Sequence, residues 1–385
     1  MRRTLLILPV LLLAACGSQT TKQDETKKSE ATKTPEDTKT PDVVETPTTE
    51  VPEPAGLSWP AGLPVYDHIV IVVEENKDYA EIIGSKVAPY INDVLAVEGA
   101  LFTRAFGEEH FSQGNYYWLF SGDNQGVGFE DVIPTAENNP NYPFETANLG
   151  SQLIAKGLSF KGYSESLPEI GSTVEKDPAD NPLYARKHVP WVSFANLPQG
   201  TTVETSSNLR FEDFPSDYGQ LPTVSFVIPN LENDMHNGAP EVSIPRGDTW
   251  LREHLDGYYQ WAKDNNSLLI VTFDEDNDRR AYKGLTDPFA PLPAGASCKS
   301  EVRDDALEDA CEMQNGVVTI FAGAHIRPGE YEEGKGITHV SILRTLEAMY
   351  GLPKAGAQQP NAARGGISDD AIITDVFAPP ADPAG

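Results

Sequence analysis

Four short segments of this chain are almost wholly apolar and rich in β-branched residues: His68–Val73 (HIVIVV), Val224–Ile228 (VSFVI), Leu268–Phe273 (LLIVTF) and Val317–Ala322 (VVTIFA). A fifth, Leu158–Tyr163 (LSFKGY), is weaker. Runs without polar alternation suit strands buried on both faces, and such strands belong mainly to parallel sheets covered by helices. Amphipathic segments supply the cover. Thr249–Lys263 sets Trp250, Leu251, Leu255, Tyr258, Tyr259 and Ala262 at helical spacing, with Asp248 placed to cap it and Asn265-Asn266 to end it. Val340–Tyr350 carries Leu343, Leu346 and Met349, then stops at Gly351 with Pro353 beyond. Pro89–Val97 reads as a further helix through Ile91, Val94 and Leu95. Strands alternating with helices predict an α/β fold, a three-layer α/β/α sandwich around a mostly parallel central sheet. The loops around 164–220 and 276–315 are long.

At 39% apolar residues the chain can bury a large core. It carries 58 acidic against 29 basic side chains, a formal charge of −29. That charge repels phosphate backbones, so nucleic acid is excluded as a partner. It attracts cations instead, divalent metals included. Residues 17–60 hold five Lys and nine Asp or Glu, so most of the negative charge lies in the part that folds.

The first residues read as an address. Arg2 and Arg3 precede a short apolar run, LLILPVLLLAA, and then Cys16. This is the pattern of a secretory signal, too short to span a bilayer as a stable helix. Leu13-Ala14-Ala15-Cys16 is similar to the bacterial lipobox, in which acyl chains on the cysteine hold an exported protein at a membrane; the alternative is an ordinary signal with an incidental cysteine. Residues 1–16 are therefore expected to be a signal and 17–60, low in complexity, a disordered tether. Residues 61–385 are expected to form one catalytic domain. Cys298 and Cys311 lie 13 positions apart. Outside the cytoplasm they form a single disulfide or remain two free thiols.

In open α/β sheets ligands bind beyond the carboxyl ends of the strands. The polar groups found there are Glu74, Glu75 and Asn76 after HIVIVV, and Asp234 and His236 after VSFVI. Asp274, Glu275 and Asp276 follow LLIVTF, and His339 follows VVTIFA at a helix start. Carboxylates with imidazoles are ligands for zinc, manganese, magnesium or calcium. Ser112 opens a short helical pattern through Asn115, Tyr116, Leu119 and Phe120. A serine there is often an N-cap. The same place also presents backbone N–H groups to an anion, and a nearby metal would make the hydroxyl a nucleophile.

Six blocks in order, HIVIVVEENKDY, HFSQGNYYWLFSG, RKHVPWVSF, IPNLENDMHNG, VTFDEDN and THVSILRTLEAMYGLP, resemble the phosphoesterase family of bacterial and fungal acid phosphatases and phospholipases C. That family lies within the alkaline phosphatase superfamily. The resemblance implies an alkaline-phosphatase-like fold, bound divalent metal and a hydroxyl nucleophile. Ser112 would be the nucleophile and Asn115 would bind a phosphoryl oxygen. Glu75, Asn76, Asp274 and Glu275 would form one metal site. Asp234, His236 and His339 would form a second metal or acid–base cluster, with His188 facing the substrate. The prolines that flank the family's serine are Phe111 and Gly114 here. The expected activity is hydrolysis of phosphate monoesters through a phosphoserine. The alternatives are a phospholipase C acting on phospholipid head groups, or a non-catalytic, metal-stabilised surface binding lipoprotein.

Overall fold

The computed structural model describes residues 62–127, 131–277, 315–332, 336–358 and 367–378. The expected signal, the tether, Cys16, Cys298 and Cys311 all lie outside the described residues.

The described strands are β1 (His68–Glu74), β2 (Ala100–Phe106), β3 (Phe160–Ser164), β4 (Lys176–Asp177), β5 (Tyr184–Ala185), β6 (Asn208–Arg210), β7 (Val224–Ile228), β8 (Ser267–Phe273), β9 (Gly316–Gly323), β10 (Gly329–Tyr331) and β11 (Ile337–Thr338). The helices are α1 (Tyr79–Ile82), α2 (Ala96–Glu98), α3 (Ser112–Ser121), α4 (Leu149–Ala155), α5 (Pro240–Ala262) and α6 (His339–Tyr350). The main sheet runs β10-β2-β9-β8-β1-β7-β3-β6, with β11 also paired to β2, and β4 and β5 form a separate pair. Ile69 of β1 stands opposite Val224 of β7 on one side and Leu268 of β8 on the other, both in parallel register. Every residue of β8 is buried, and every residue of β1 after His68. Helices α3, α4 and α6 pack on one another, while α5 packs on β8 and β9. The protein is an α/β fold with a mostly parallel central sheet.

Two expectations change. The VVTIFA run is a strand, but β9 is antiparallel to both its neighbours, β2 and β8. Its carboxyl end therefore points away from the carboxyl edge of the parallel strands, and its amino end, at Asn315, lies on that edge. A uniformly apolar run reports burial on both faces, not direction. The second change concerns Asp248. Helix α5 begins at Pro240, so Asp248 sits inside it rather than capping it. Its carboxylate instead accepts from the N–H groups of Tyr90 (3.0 Å) and Ile91 (2.8 Å), at the head of the Ile91–Leu95 turn. The apolar residues expected of this helix are all buried. At the other end of the chain, Gly351 closes α6 at φ 59°, the left-handed terminus that the sequence announces.

Candidate active site

Strands β8, β1 and β7 are adjacent and parallel, so their carboxyl ends deliver Asp274, Glu75 and Asp234 to one place. Two backbone bonds fix the loops there: Glu75 N to Asp234 O (2.7 Å) and Asp274 N to Glu74 O (3.0 Å). Asn76 turns the chain in the left-handed region, at φ 47°, and its N–H reaches Asp274 Oδ1 (3.1 Å). Met235, next to Asp234, is also left-handed at φ 73°. Such backbone gathers at functional sites because packing must hold it there. Gly247 supplies that packing, since a Cβ there would stand 2.4 Å from Met235 Cγ.

Strand β2 points the same way as β1, separated from β8 by antiparallel β9, so the loop after β2 reaches the same edge. That loop leads into α3 with Ser112 as its first residue. Ser112 Oγ is buried, 3.1 Å from Glu75 Oε2 and 3.4 Å from Glu275 Oε1. Glu75 thus faces two ways. Its Oε2 accepts from Ser112 and from Asn76 Nδ2 (3.3 Å), while Oε1 accepts from Tyr116 OH (2.5 Å) and lies 3.1 Å from His188 Nε2. His188 Nδ1 is 3.9 Å from Asp234 Oδ2. Tyr116 stacks on the His188 ring at 4.9 Å and 14°.

Burial raises Asp234 and Asp274 well above the ordinary carboxylate range, and the charge on Glu75 adds to both shifts. Glu75 is raised by burial against the opposing pull of Lys187 and His236. His188 is pushed well down by burial and then by Lys187 and His236, which favours the neutral ring. Buried carboxyls and an imidazole facing one another are a donor set that suits a cation. Glu75, His188 and Asp234 each offer a ligand atom within 4.8 Å of the others. Asn76 Oδ1 and Asp234 Oδ2 are buried with no hydrogen bond closing on them. A divalent ion fits these residues.

The structure brings Glu75, Asn76, Ser112, His188, Asp234, Asp274 and Glu275 into one network, and it regroups the rest. Asp234 joins Glu75 and His188, and its Oδ1 also accepts from the N–H of His236 (2.8 Å). His236 is half-buried, 6.4 Å ring to ring from His188. It lines a cleft of about 370 Å³ with Asn76, Lys77, Gly238, Pro240, Asp276 and Asn277. His339 is buried, bonded through Nε2 to Phe273 O (2.8 Å), and burial lowers it to about 4. Asn115 is tied to the loop before its own helix. Its Oδ1 accepts from Glu108 N (2.8 Å) and Glu109 N (2.9 Å), and its Nδ2 donates to Glu109 O. The amide staples the 107–111 loop to α3.

Several contributors escaped the sequence reading. Tyr116 is one helical turn after Ser112, a spacing that could have found it. Lys187 adjoins His188, and its Nζ lies 3.5 Å from Ser112 Oγ. His110 sits between Glu275 Oε2 and Asp276 Oδ1, at 3.4 Å from each. Asn315, at the amino end of β9, accepts from Asp276 N (2.6 Å) and donates to Glu109 O (2.8 Å). It joins the Asp274–Asp276 loop to the loop that carries the serine. Only the antiparallel course of β9 puts it there.

A buried serine at a helix start, set among carboxylates and imidazoles on the carboxyl edge of an α/β sheet, suits a hydrolytic enzyme. The chain belongs to the phosphoesterase family, whose model matches residues 86–353, and it is a hydrolase acting on phosphoric ester bonds. It is 44% identical over 298 residues to a phosphatidylinositol-3-phosphatase of Mycobacterium tuberculosis (strain ATCC 25618 / H37Rv), covering 77% of this chain and 81% of that protein. It is 28% identical over 265 residues to a phosphate-repressible acid phosphatase of Penicillium chrysogenum, covering 68% of this chain and 54% of that one. Among solved structures it is similar to a protein in the alkaline phosphatase superfamily from Vibrio parahaemolyticus. That similarity has a TM-score of 0.47 at 11% identity, over 81% of this chain and 71% of the other.

Proposed function

We propose that the chain is a metal-dependent phosphomonoesterase that works through a phosphoserine at Ser112. The observation that carries this reading is the placing of Ser112 Oγ, buried on the first turn of α3 and between Glu75 and Glu275. A phosphate ester cannot approach so many carboxylates without a compensating positive charge. Glu75 with Asn76, Asp274 and Glu275, or Glu75 with His188 and Asp234, would hold a zinc, manganese, magnesium or calcium ion, which would supply that charge and ease ionisation of the serine.

The chain's own groups do the rest. Ser112 Oγ passes its proton to Glu75 Oε2 as it bonds to phosphorus. The bond from phosphorus to the alcohol oxygen breaks in line, and His236, which lines the cleft, protonates that oxygen. Water then attacks phosphorus and gives a proton to His236. The bond from phosphorus to Oγ breaks, and Oγ recovers its proton from Glu75. The positive end of the α3 dipole stabilises the phosphoryl oxygens, where charge accumulates.

The name of the mycobacterial relative, a phosphatase of a phosphorylated lipid, supports monoester over diester cleavage. Arg2, Arg3, the apolar run and Cys16 support export and a lipid anchor, with the catalytic domain outside the cytoplasm. The test compares wild type with Ser112→Ala on p-nitrophenyl phosphate and on phosphatidylcholine, with divalent metal present and melting temperatures matched. Wild type is expected to release phosphate from the monoester, and the variant to lose at least about a thousandfold in rate. Undiminished hydrolysis by the variant removes the nucleophile. Faster release of phosphocholine from the lipid makes the enzyme a phospholipase C. No turnover of either substrate by wild type favours the binding lipoprotein.

A further inference from the structure

Among the described residues, Lys187 is a cation beside Ser112 that the reaction above leaves unused. It lies in the short Arg186–His188 turn, which packs against α3. Its Nζ is 2.9 Å from Asp131 Oδ2 and 3.5 Å from Ser112 Oγ, and its side chain is 20% exposed. The other nearby ammonium, Lys77, is committed to backbone, donating to Met235 O (2.7 Å) and Asn76 O (3.0 Å). Asp131 does two things at once. Its Oδ2 holds Lys187, and its Oδ1 accepts from Gln113 N (3.1 Å) on the first turn of α3. Gln113 Nε2 closes the clamp on Val132 O (2.8 Å). The ammonium is therefore fixed relative to the backbone that carries the serine, with nearly hydrogen-bond reach to Oγ. Any group bonded to Oγ brings its other oxygens within reach of Nζ.

We infer that Lys187 is a catalytic residue that binds a non-bridging oxygen of the phosphoryl group on Ser112, and that Asp131 is the residue that positions it. The inference rests on the phosphoserine reading. A point charge with three donors suits this role, because the phosphoryl oxygens gain charge and shift position as the group passes from the alcohol to Oγ and then to water. The pairing with Asp131 holds the lysine extended toward the site before substrate arrives, so less of its rotamer freedom is lost on binding.

Two measurements on the metal-loaded protein decide it: kcat and KM on p-nitrophenyl phosphate, and affinity for inorganic phosphate by calorimetry. Lys187→Met is expected to bind phosphate about tenfold to a hundredfold more weakly and to lose at least as much in kcat/KM, with an unchanged melting temperature. Lys187→Arg is expected to recover part of both. The pair Lys187→Met with Asp131→Asn is expected to fall no further than Lys187→Met alone, since Asp131 acts through the lysine. Phosphate affinity and kcat/KM within twofold of wild type in Lys187→Met overturn the inference while leaving the Ser112 reading intact. Additive losses in the double variant overturn the role of Asp131. Should wild type bind phosphate and Lys187→Met bind it equally, the lysine is structural, whatever the turnover. Should wild type neither bind phosphate nor turn over the monoester, the phosphoserine reading falls and this inference with it.

Discussion

Gly114 shows how closely the serine's helix is fitted. A Cβ at this position would stand 1.5 Å from Glu109 Oε1 and 2.3 Å from its carboxyl carbon. The departure from the family's proline is thus matched by a carboxyl filling the space beside it. That carboxyl is anchored, because Glu109 Oε2 accepts from Trp118 Nε1 (2.9 Å) and Asn124 Nδ2 (3.1 Å). Gly114→Ala must therefore expel the carboxyl and break both bonds. The variant is expected to lose about 1–3 kcal/mol of stability, and Glu109→Ala in the same chain should restore part of it. Urea unfolding of the single and double variants measures both, and an additive double variant would refute the contact. At this scale the sequence reads Glu75 and Asp274 after apolar runs and Ser112 at the head of a helical pattern, and the structure brings the three together. The sequence was not legible for Glu109, whose role depends on a neighbour with no side chain.

At the scale of elements, α3 and the 107–111 loop behave as one unit. Asn115 bonds the backbone of Glu108 and Glu109, and Asn315 bonds Glu109 from β9. Glu109 is buried in this seam. Burial pushes its carboxyl up to about 8, although the Trp118 and Asn124 bonds favour the anion. The unfolded chain loses that proton near the ordinary value of 4.5, while the folded chain keeps it to about 8. The stabilising contribution is therefore complete below the lower value, declines as pH rises between the two, and levels off above. Glu109→Gln removes the decline. The stability of the variant relative to wild type is expected to rise by a few kcal/mol between about pH 5 and 8. Denaturant titrations across that range measure it, and a constant difference would show that Glu109 is already ionised at pH 5. Helix α6 and the apolar face of α5 were legible from spacing. The use of Asp248 was not, because a capping residue looks the same whether it serves its own helix or another.

At the scale of the molecule, one sheet gathers residues far apart in sequence. Asp234, Asp274 and Glu75 converge because β7, β1 and β8 are neighbours with a common direction. Buried carboxyls brought together in this way repel one another until a cation joins them. Removing divalent metal with a chelator should accordingly lower the melting temperature by about 5–10 °C, and restoring the metal should recover it. An unchanged transition in protein verified to contain metal before chelation and none after would separate the ion from the fold.

The sequence by itself determined that apolar runs would be strands buried on both faces, that amphipathic segments would cover them, and that acids would stand where strands end. These follow from local chemistry, since burial, helical spacing and Gly termini are properties of neighbouring residues. Only the tertiary structure decided that β9 runs against its neighbours and that Asp234 belongs with Glu75 and His188. It alone set Lys187 beside Ser112. Each of these is a pairing between distant segments, and the free energy of a pairing resides in the contact, which neither partner's own stretch of chain contains.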